Sequence, residues 1–437
     1  MDTWLIAVFL LVALAVLLAG GLWIALTLLG VGWIAMTFFT GSPAGPIMAT
    51  TVWGSSNNWA LTALPLFIWM GEILFRTRIS EDMFRGLAPW AAPLPGRLVH
   101  TNVLGCGLFA AISGSSAATA ATIGRITIPE LARRGYDERM AIGSLAGAGT
   151  LGLLIPPSII MIVYGVAADV SIARLFVAGV LPGIMVMAMF SGYIAAWALT
   201  HPDRTPPRES VTTLGEKLYA ARHLIPTVIL IAAVIGSIYA GIATPTEAAV
   251  LGVVGSLILA AATGSLNRQS FGASVMGAMK TSCMIAFILA GAAFLTVAMG
   301  FTGLPRALAQ WIATQGFAEW QLIAVLTLFF IVLGCFLDGI SMVVLTASVV
   351  LPSVKAAGID LLWFGVFIVL VVEMAQITPP VGFNLYVLQG LTGRNMFFVA
   401  RAALPFFCLM MAAVLVIYLF PEIVTFLPGR MFNLKAG

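Results

Sequence analysis

The runs GTLGLLIPPSIIMIVYG (149–165) and EMAQITPPVGFNLYV (373–387) each place two adjacent prolines inside an otherwise unbroken apolar stretch. A proline has no N–H for the carbonyl four residues earlier, and it disfavours helical geometry in the residue before it. Pro156 and Pro157 therefore deprive the carbonyls of Gly152 and Leu153 of their helical donors; Pro379 and Pro380 do the same to Ala375 and Gln376. Each run is expected to be a helix broken midway. In lipid an unsatisfied carbonyl costs several kcal/mol, so broken helix persists there only where something else satisfies it.

Composition places both runs in lipid. Of 437 residues, 61% are hydrophobic and 9% charged, against about 25% charged in a soluble domain, and the mean hydropathy is +1.07. A water-soluble globule is excluded. At about 20 apolar residues per crossing, crossings are expected near 4–19, 22–40, 60–75, 140–165, 173–200, 224–241, 246–263, 276–300, 361–390 and 402–420. The net charge of +4 is small and dispersed, which excludes a nucleic-acid surface. Arg76 is the first Lys or Arg, so residues 1–20 lack the basic start of a cleaved signal and read as a retained helix. Cys106, Cys283, Cys335 and Cys408 show no metal or disulfide spacing and read as small buried side chains. His100, His201 and His223 are too scattered for a metal centre.

Two further apolar stretches, about 98–134 and 319–354, are too long for one helix. Ser113-Gly114-Ser115-Ser116 interrupts the first, and Gly334 to Ser341, with Asp338, the second. Cytoplasmic segments are rich in Lys and Arg. Arg76, Arg78, Arg85 and Arg97 precede the first stretch and Arg125, Arg133, Arg134 and Arg139 follow its tip, so both its ends read as cytoplasmic. The second is flanked by 302–318, with Arg306 alone, and by 353–360, with Lys355 and Asp360, and both its ends read as external. The two are expected to be re-entrant hairpins of opposite direction, joined through a cytoplasmic loop at 201–223 that holds Arg204, Arg208, Lys217 and Arg222.

A repeat supports the same topology without reference to charge. One constant offset along the chain carries Pro129 to Pro352, Gly135 to Gly358, Asp137 to Asp360, Pro156-Pro157 to Pro379-Pro380 and Leu181-Pro182 to Leu404-Pro405, with no gap. The expected fold is all-α and polytopic, an inverted repeat with about five transmembrane helices and one hairpin in each half. The expected segments are 1–75, 76–200 with the first hairpin and broken helix, a loop at 201–223, 224–300, and 301–437 with the second hairpin and broken helix. Inverted repeats with interrupted helices are the architecture of secondary transporters, whose sites lie near the bilayer midplane.

The hairpin tips carry the oxygen atoms that the breaks call for. Ser113, Ser115 and Ser116 bring hydroxyls and Gly114 a tight turn; Gly334, Asp338, Gly339 and Ser341 are their counterparts. Carbonyls and hydroxyls with little formal charge suit a hard monovalent cation, sodium first, better than zinc or copper. No Lys or Arg stands at either tip or proline pair, so a dedicated arginine clamp is not expected in these elements. Glu373, one turn before its prolines, and Asp338 are acids at membrane depth and so candidates for function. Glu72 and Glu247 read as a salt bridge or helix cap.

The strings LPLFIWMGEILFR (64–76), SGSSAATAATIG (113–124), LGLLIPPSIIMIVYG (151–165), GIATPTEAA (241–249), DGISMVVLTASVVLP (338–352) and ITPPVGFNLYV (377–387) resemble, in order and over nearly the whole chain, the large membrane subunit of TRAP (tripartite ATP-independent periplasmic) transporters. The resemblance implies sodium-driven import of a small organic anion, such as a dicarboxylate or sugar acid, across the bacterial inner membrane. It implies two partners, a periplasmic binding protein and a small membrane subunit, and an elevator mechanism without organic cofactor or enzymatic activity, in which 1–75 and 224–300 are scaffold and 76–200 and 301–437 the two halves of a transport domain. Carried over by motif, the first sodium site comprises Ser113, Ser115, Ser116, Gly152, Ile155 and Pro157, and the second Gly334, Gly339, Ala375, Thr378 and Val381. The substrate is expected between the tips, near Ser115, Ser116, Asp338, Thr378 and Asn384. Competing readings are a sodium/carboxylate transporter without a binding protein, a channel, and an intramembrane serine protease using Ser113 or Ser115. The protease needs a base beside its serine, and His100 belongs at the far end of the hairpin.

Overall fold

The computed structural model describes residues 3–206, 213–314, 318–334, 337–379 and 382–433, and every regular element among them is helical. Pro380 and Val381, Cys335 and Arg208 lie outside the described residues. The first half runs α1 (Thr3–Ala19), α2 (Ile24–Phe39), α3 (Ala44–Ser56), α4 (Ala63–Phe75), α5 (Ile79–Ala91), α6 (His100–Ser113), α7 (Ser116–Arg133), α8 (Glu138–Gly149), α9 (Leu151–Leu154), α10 (Ile159–Ala168) and α11 (Ile172–Thr200). After α12 (Leu214–Ala221) come α13 (Ile225–Tyr239), α14 (Pro245–Ala262), α15 (Arg268–Thr302), α16 (Leu304–Thr314), α17 (Glu319–Gly334), α18 (Gly339–Ala356), α19 (Leu361–Gln376), α20 (Phe383–Thr392), α21 (Met396–Leu419) and α22 (Glu422–Asn433).

The repeat is carried by the backbone as well as by the sequence. At the offset that maps Pro129 onto Pro352, the bounds of α7 are those of α18, and the first residue of α8 falls on that of α19. Gly135 and Gly358 both turn the chain at φ +76, a conformation that glycine adopts without steric cost. Asp137 and Asp360 then cap the helices that follow, accepting from the N–H of Met140 and of Leu362. Arm helices α5 and α16 stand just before the two hairpins, α6–α7 and α17–α18.

Both proline pairs break their helices. The run through α8 and α9 stops at Leu154, and α10 starts afresh from Ser158, whose hydroxyl accepts from the Met161 N–H; the two parts meet at 42°. In the second half α19 ends at Gln376 and α20 begins at Phe383. One carbonyl expected to be free is occupied: the Thr378 N–H bonds Ala375 O at 3.1 Å. The last turn of α19 tightens to i→i+3 bonding, a common way to satisfy a helix end. The carbonyls of Gly152, Leu153 and Gln376 accept no hydrogen bond among the described residues.

Helices α1–α4 and α13–α15 pack mainly among themselves, with α2 along α15 and α4 along α14; hairpins and broken helices form the other group. Within that group the halves are exchanged, since α10 rests on α18 and α20 on α7. Among the described residues five helices are long and apolar enough to cross a membrane singly, and three bent pairs bring the number to eight; α17 and α19 are among the shorter apolar helices. Helices α3, α5, α12, α16 and α22 fall outside the expected crossings. Their Gly, Pro, Thr and charged residues interrupt the long apolar runs by which a crossing is recognised.

The cysteines need correction. Cys106 is buried, but Cys283 and Cys408 are exposed on the helical surface, where a thiol meets lipid or a partner as readily as any small apolar group. Glu72 does pair with Arg76 at 2.7 Å, and Glu247 completes a capping box with Thr244.

Candidate functional site: two tips on two broken helices

The first tip is built by two adjoining caps. Gly114 takes φ +60 and ends α6, and Ser115 caps α7, its hydroxyl accepting from the Ala118 N–H. Ser113 and Thr119 share a hydrogen bond of 2.7 Å between their hydroxyls, and Thr119 donates to Ser115 O at 2.8 Å. This knot seats directly on the first break. A Cβ on Gly152 would stand 2.6 Å from Ser115 O and Ser116 Cα, and one on Gly114 would stand 2.9 Å from Pro157 O. Ser113, Ser115, Ser116, Gly152 and Pro157 are thus brought together. Ile155 adjoins the break through its backbone, while its side chain packs toward Gly183 of α11.

The second tip repeats the arrangement with fewer hydroxyls. Asp338 caps α18, accepting from the N–H groups of Ile340 and Ser341 and from the Ser341 hydroxyl. Gly334 lies against Ala375, where an added Cβ would come 2.1 Å from the alanine Cβ. Gly339 faces Val372 and Gln376 of α19, and also Ile160 of α10. Gly334, Gly339 and Ala375 therefore meet; Thr378 stands at the end of the same turn, its hydroxyl donating to Met374 O at 2.7 Å. Val381 lies outside the described residues.

Between the tips is a feature the motifs did not indicate. The Ser116 hydroxyl crosses to the other half and donates to Glu373 Oε1 at 2.5 Å. Glu373 is fully buried, and its Oε2 has no hydrogen-bond partner among the described residues. Asn384 is also fully buried, and among the described residues neither its Oδ1 nor its Nδ2 has a partner. It approaches Gly149, where an added Cβ would meet Ala120 and Asn384 Nδ2, one turn along α7 from Ser116. Buried polar groups are nearly always bonded, so three orphaned atoms at one junction mark a place suited to a small polar or charged species. The repeat contained a signal for it: at the offset that pairs Asp137 with Asp360, Glu373 falls on Thr150, and an acid with no counterpart in its sister half stands out.

The arrangement offers a monovalent cation carbonyl and hydroxyl oxygens and one carboxyl oxygen. Among the described residues no group of three or more His, Cys, Asp or Glu gathers as a transition-metal site would require. It offers no serine hydrolase either: Ser113 bonds Thr119, and His100 sits at the opposite end of α6, roughly 20 Å away at 1.5 Å per residue.

The model of the tripartite ATP-independent periplasmic transporter DctM component matches residues 11–423. The chain belongs to that family. It is 32% identical over 385 residues to the C4-dicarboxylate TRAP transporter large permease protein DctM of Pseudomonas aeruginosa, covering 87% of this chain and 89% of that one. It is 31% identical over 382 residues to the ectoine/5-hydroxyectoine TRAP transporter large permease protein UehC of Ruegeria pomeroyi, covering 86% and 87%. Among solved structures, the YdaH transporter of Alcanivorax borkumensis superposes with a TM-score of 0.61 at 12% identity over 84% of this chain and 86% of that one; the likeness is one of fold. The chain is thus a multi-pass TRAP large permease, a transporter subunit and not an enzyme.

Proposed function

We propose that this permease imports a small organic anion, a C4-dicarboxylate before other acids, driven by sodium, with the two tips holding the sodium ions and the anion between them. The observation that carries the reading is the seating of each tip on a broken helix, where among the described residues the carbonyls of Gly152, Leu153 and Gln376 are unbonded and Glu373 Oε2 and both Asn384 side-chain atoms have no partner. In a low-dielectric interior each such group is costly, and a cation satisfies several at once. Ser113, Ser115, Ser116, Gly152, Ile155 and Pro157 form the first cation site, and Gly334, Gly339, Ala375, Thr378 and Val381 the second. Ser115, Ser116, Asp338, Thr378 and Asn384 face the anion.

The dicarboxylate preference rests on the Pseudomonas aeruginosa relative. Sidedness rests on the basic residues, whose abundance around the first hairpin supports cytoplasmic ends there and whose scarcity around the second supports external ones. In this reading the hairpins and broken helices travel as one body against the α1–α4 and α13–α15 scaffold, an elevator. A periplasmic binding protein delivers the anion, and a small membrane subunit completes the scaffold in the inner membrane.

The test is uptake into proteoliposomes that hold this chain and its small subunit, supplied with loaded binding protein. Uptake should follow an inward sodium gradient and need no ATP. Equal rates in potassium and sodium would overturn the sodium claim, and uptake by this chain alone would overturn the need for partners.

A further inference from the structure

Helix α4 is engaged differently on its two faces. On one, Trp69 Nε1 donates to Ser274 Oγ at 3.2 Å, Arg76 donates to Ala273 O at 3.3 Å, and Glu72 lies against Gly277, all three partners being on α15. These contacts fix α4 within the group formed by α1–α4 and α13–α15. The other face meets the hairpins and broken helices. Phe67 packs edge-on against Phe176 of α11 at 5.7 Å, and the Arg125 guanidinium of α7 stands 5.4 Å from the centre of the Phe75 ring. Residues 67, 71 and 75 follow one another at four-residue spacing, so Gly71 stands between those two contacts on the same face.

Gly71 is where the first tip touches this face. A Cβ there would stand 2.9 Å from Ser113 O and 3.4 Å from Ser113 Cα, so the tip backbone lies directly on the α4 backbone. Leu64, Phe67, Ile68 and Phe75 around it are large, and the tip can come this close at one level of α4 only. The tip is held in shape by its own bonds, Ser113 to Thr119 and Thr119 to Ser115 O. The second half has no such place. At the offset that pairs Pro129 with Pro352, Gly71 falls on Phe294 of α15, whose ring is turned away into its own group, against Gly32 of α2. A cavity of about 670 Å³ lies between α10 and α18 on one side and α3 and α15 on the other. The two groups thus close backbone to backbone at the first tip and enclose a cavity beyond the second.

We propose that Gly71 is a positioning residue for transport: it seats the first tip on α4 and so sets one stop in the travel of the hairpins along the scaffold. The proposal rests on the elevator reading above. A side chain at 71 holds the tip off α4, and the stop is lost while the residues of the ion and anion sites stay unchanged.

Distances between two nitroxides test it in the complete system, with Cys283, Cys335 and Cys408 replaced by Ser. One label is placed at Arg133→Cys, the exposed end of α7, and the other at Leu266→Cys, exposed between α14 and α15. In Gly71→Ala the seated population should fall about tenfold and reappear displaced by a helical turn or more, about 5 Å. Gly236→Ala on α13, where an added methyl meets nothing within 4 Å, should match wild type. A distribution that shifts with sodium in wild type but is identical in Gly71→Ala would overturn the seat and leave the elevator standing; one distance in every protein and condition would overturn both. The second measurement keeps Gly71. Phe75→Cys with Arg125→Cys, bridged by a short bifunctional thiosulfonate, should hold the tip on its seat and stop uptake until the bridge is reduced. In Gly71→Ala the bridge should form about fivefold more slowly. Full uptake by the bridged protein, or equal bridging rates with Gly71 and with Ala, would overturn the proposal.

Discussion

Replacing Ser116 by Ala removes the hydroxyl that reaches Glu373 Oε1 across the two halves. A hydrogen bond to a charged group contributes about 1.5–3 kcal/mol and a neutral one about 0.5–1.5 kcal/mol. Because Glu373 Oε2 has no partner among the described residues, Ser116→Ala strands both carboxyl oxygens, and in sodium buffer, with a bound cation holding the carboxyl ionised, the expected loss lies near the top of that range, about 2–3 kcal/mol. In a Glu373→Gln background the amide oxygen still accepts from Ser116 but carries no charge, so the same substitution should cost only about 1 kcal/mol. The four proteins of this double-mutant cycle, unfolded reversibly in mixed micelles with rising dodecyl sulfate, should yield a coupling of about 1–2 kcal/mol. Uptake should show a raised sodium requirement in Ser116→Ala, since α7 begins at this residue and carries the first tip. A Ser116→Ala cost below about 0.5 kcal/mol with Glu373 intact, the scatter expected of independent sites, would refute the reasoning.

Gly152→Ala forces a methyl to within 2.6 Å of the tip backbone; overpacking of this kind costs about 1–3 kcal/mol, and uptake should be lost even where the purified protein still folds. Thr378→Val removes the hydroxyl bonded to Met374 O; it should raise the sodium concentration for half-maximal uptake severalfold, with stability lowered by no more than about 1.5 kcal/mol, and an unchanged sodium midpoint would remove Thr378 from the second site. In a Cys335→Ser background, a membrane-permeant maleimide should modify Cys283 and Cys408 but spare Cys106, which is buried, until the protein is denatured. Peptide mass mapping reads the outcome, and labelling of native Cys106 would contradict its burial.

The long-range order of the fold was legible because two signals are strong in any membrane chain. Paired prolines forbid helix locally whatever surrounds them, and Gly135 and Asp137, echoed by Gly358 and Asp360, spell the same turn and cap twice. The shorter helices α3, α5 and α16 were not legible as crossings, since their length and mixed composition leave no long apolar run. At the site, serines and glycines announced the tips because turns and caps select those residues for local reasons. The Ser116 to Glu373 bond joins residues far apart in sequence and depends on how α7 meets α19, which no local preference encodes. Neither does sequence reveal that Ala375 O finds a donor three residues on, because proline rules say which bond is lost and not which bond replaces it.

The repeat also explains why the two tips should not be equivalent. Under the offset that superimposes the proline pairs, Ser116 falls on Gly339 and Thr150 on Glu373, so the first tip touches an acid from the opposite half while the second, at Gly339, touches Ile160. Struts such as the Tyr164 hydroxyl on Leu361 O, 2.7 Å long, bind the halves together, and neither tip is free to acquire the other's surroundings. Thr150 spends its hydroxyl within its own turn, on Gly147 O, and so offers the second tip nothing comparable. Where a bound cation holds the Glu373 carboxyl ionised, a unit charge about 4 Å away is worth about 4 kcal/mol at an effective dielectric of 20, several times the difference that swapping one neutral oxygen ligand for another makes. If both tips hold sodium, the one beside Glu373 should fill first, and Glu373→Gln should lower its affinity toward that of the other and make the two steps of sodium activation merge.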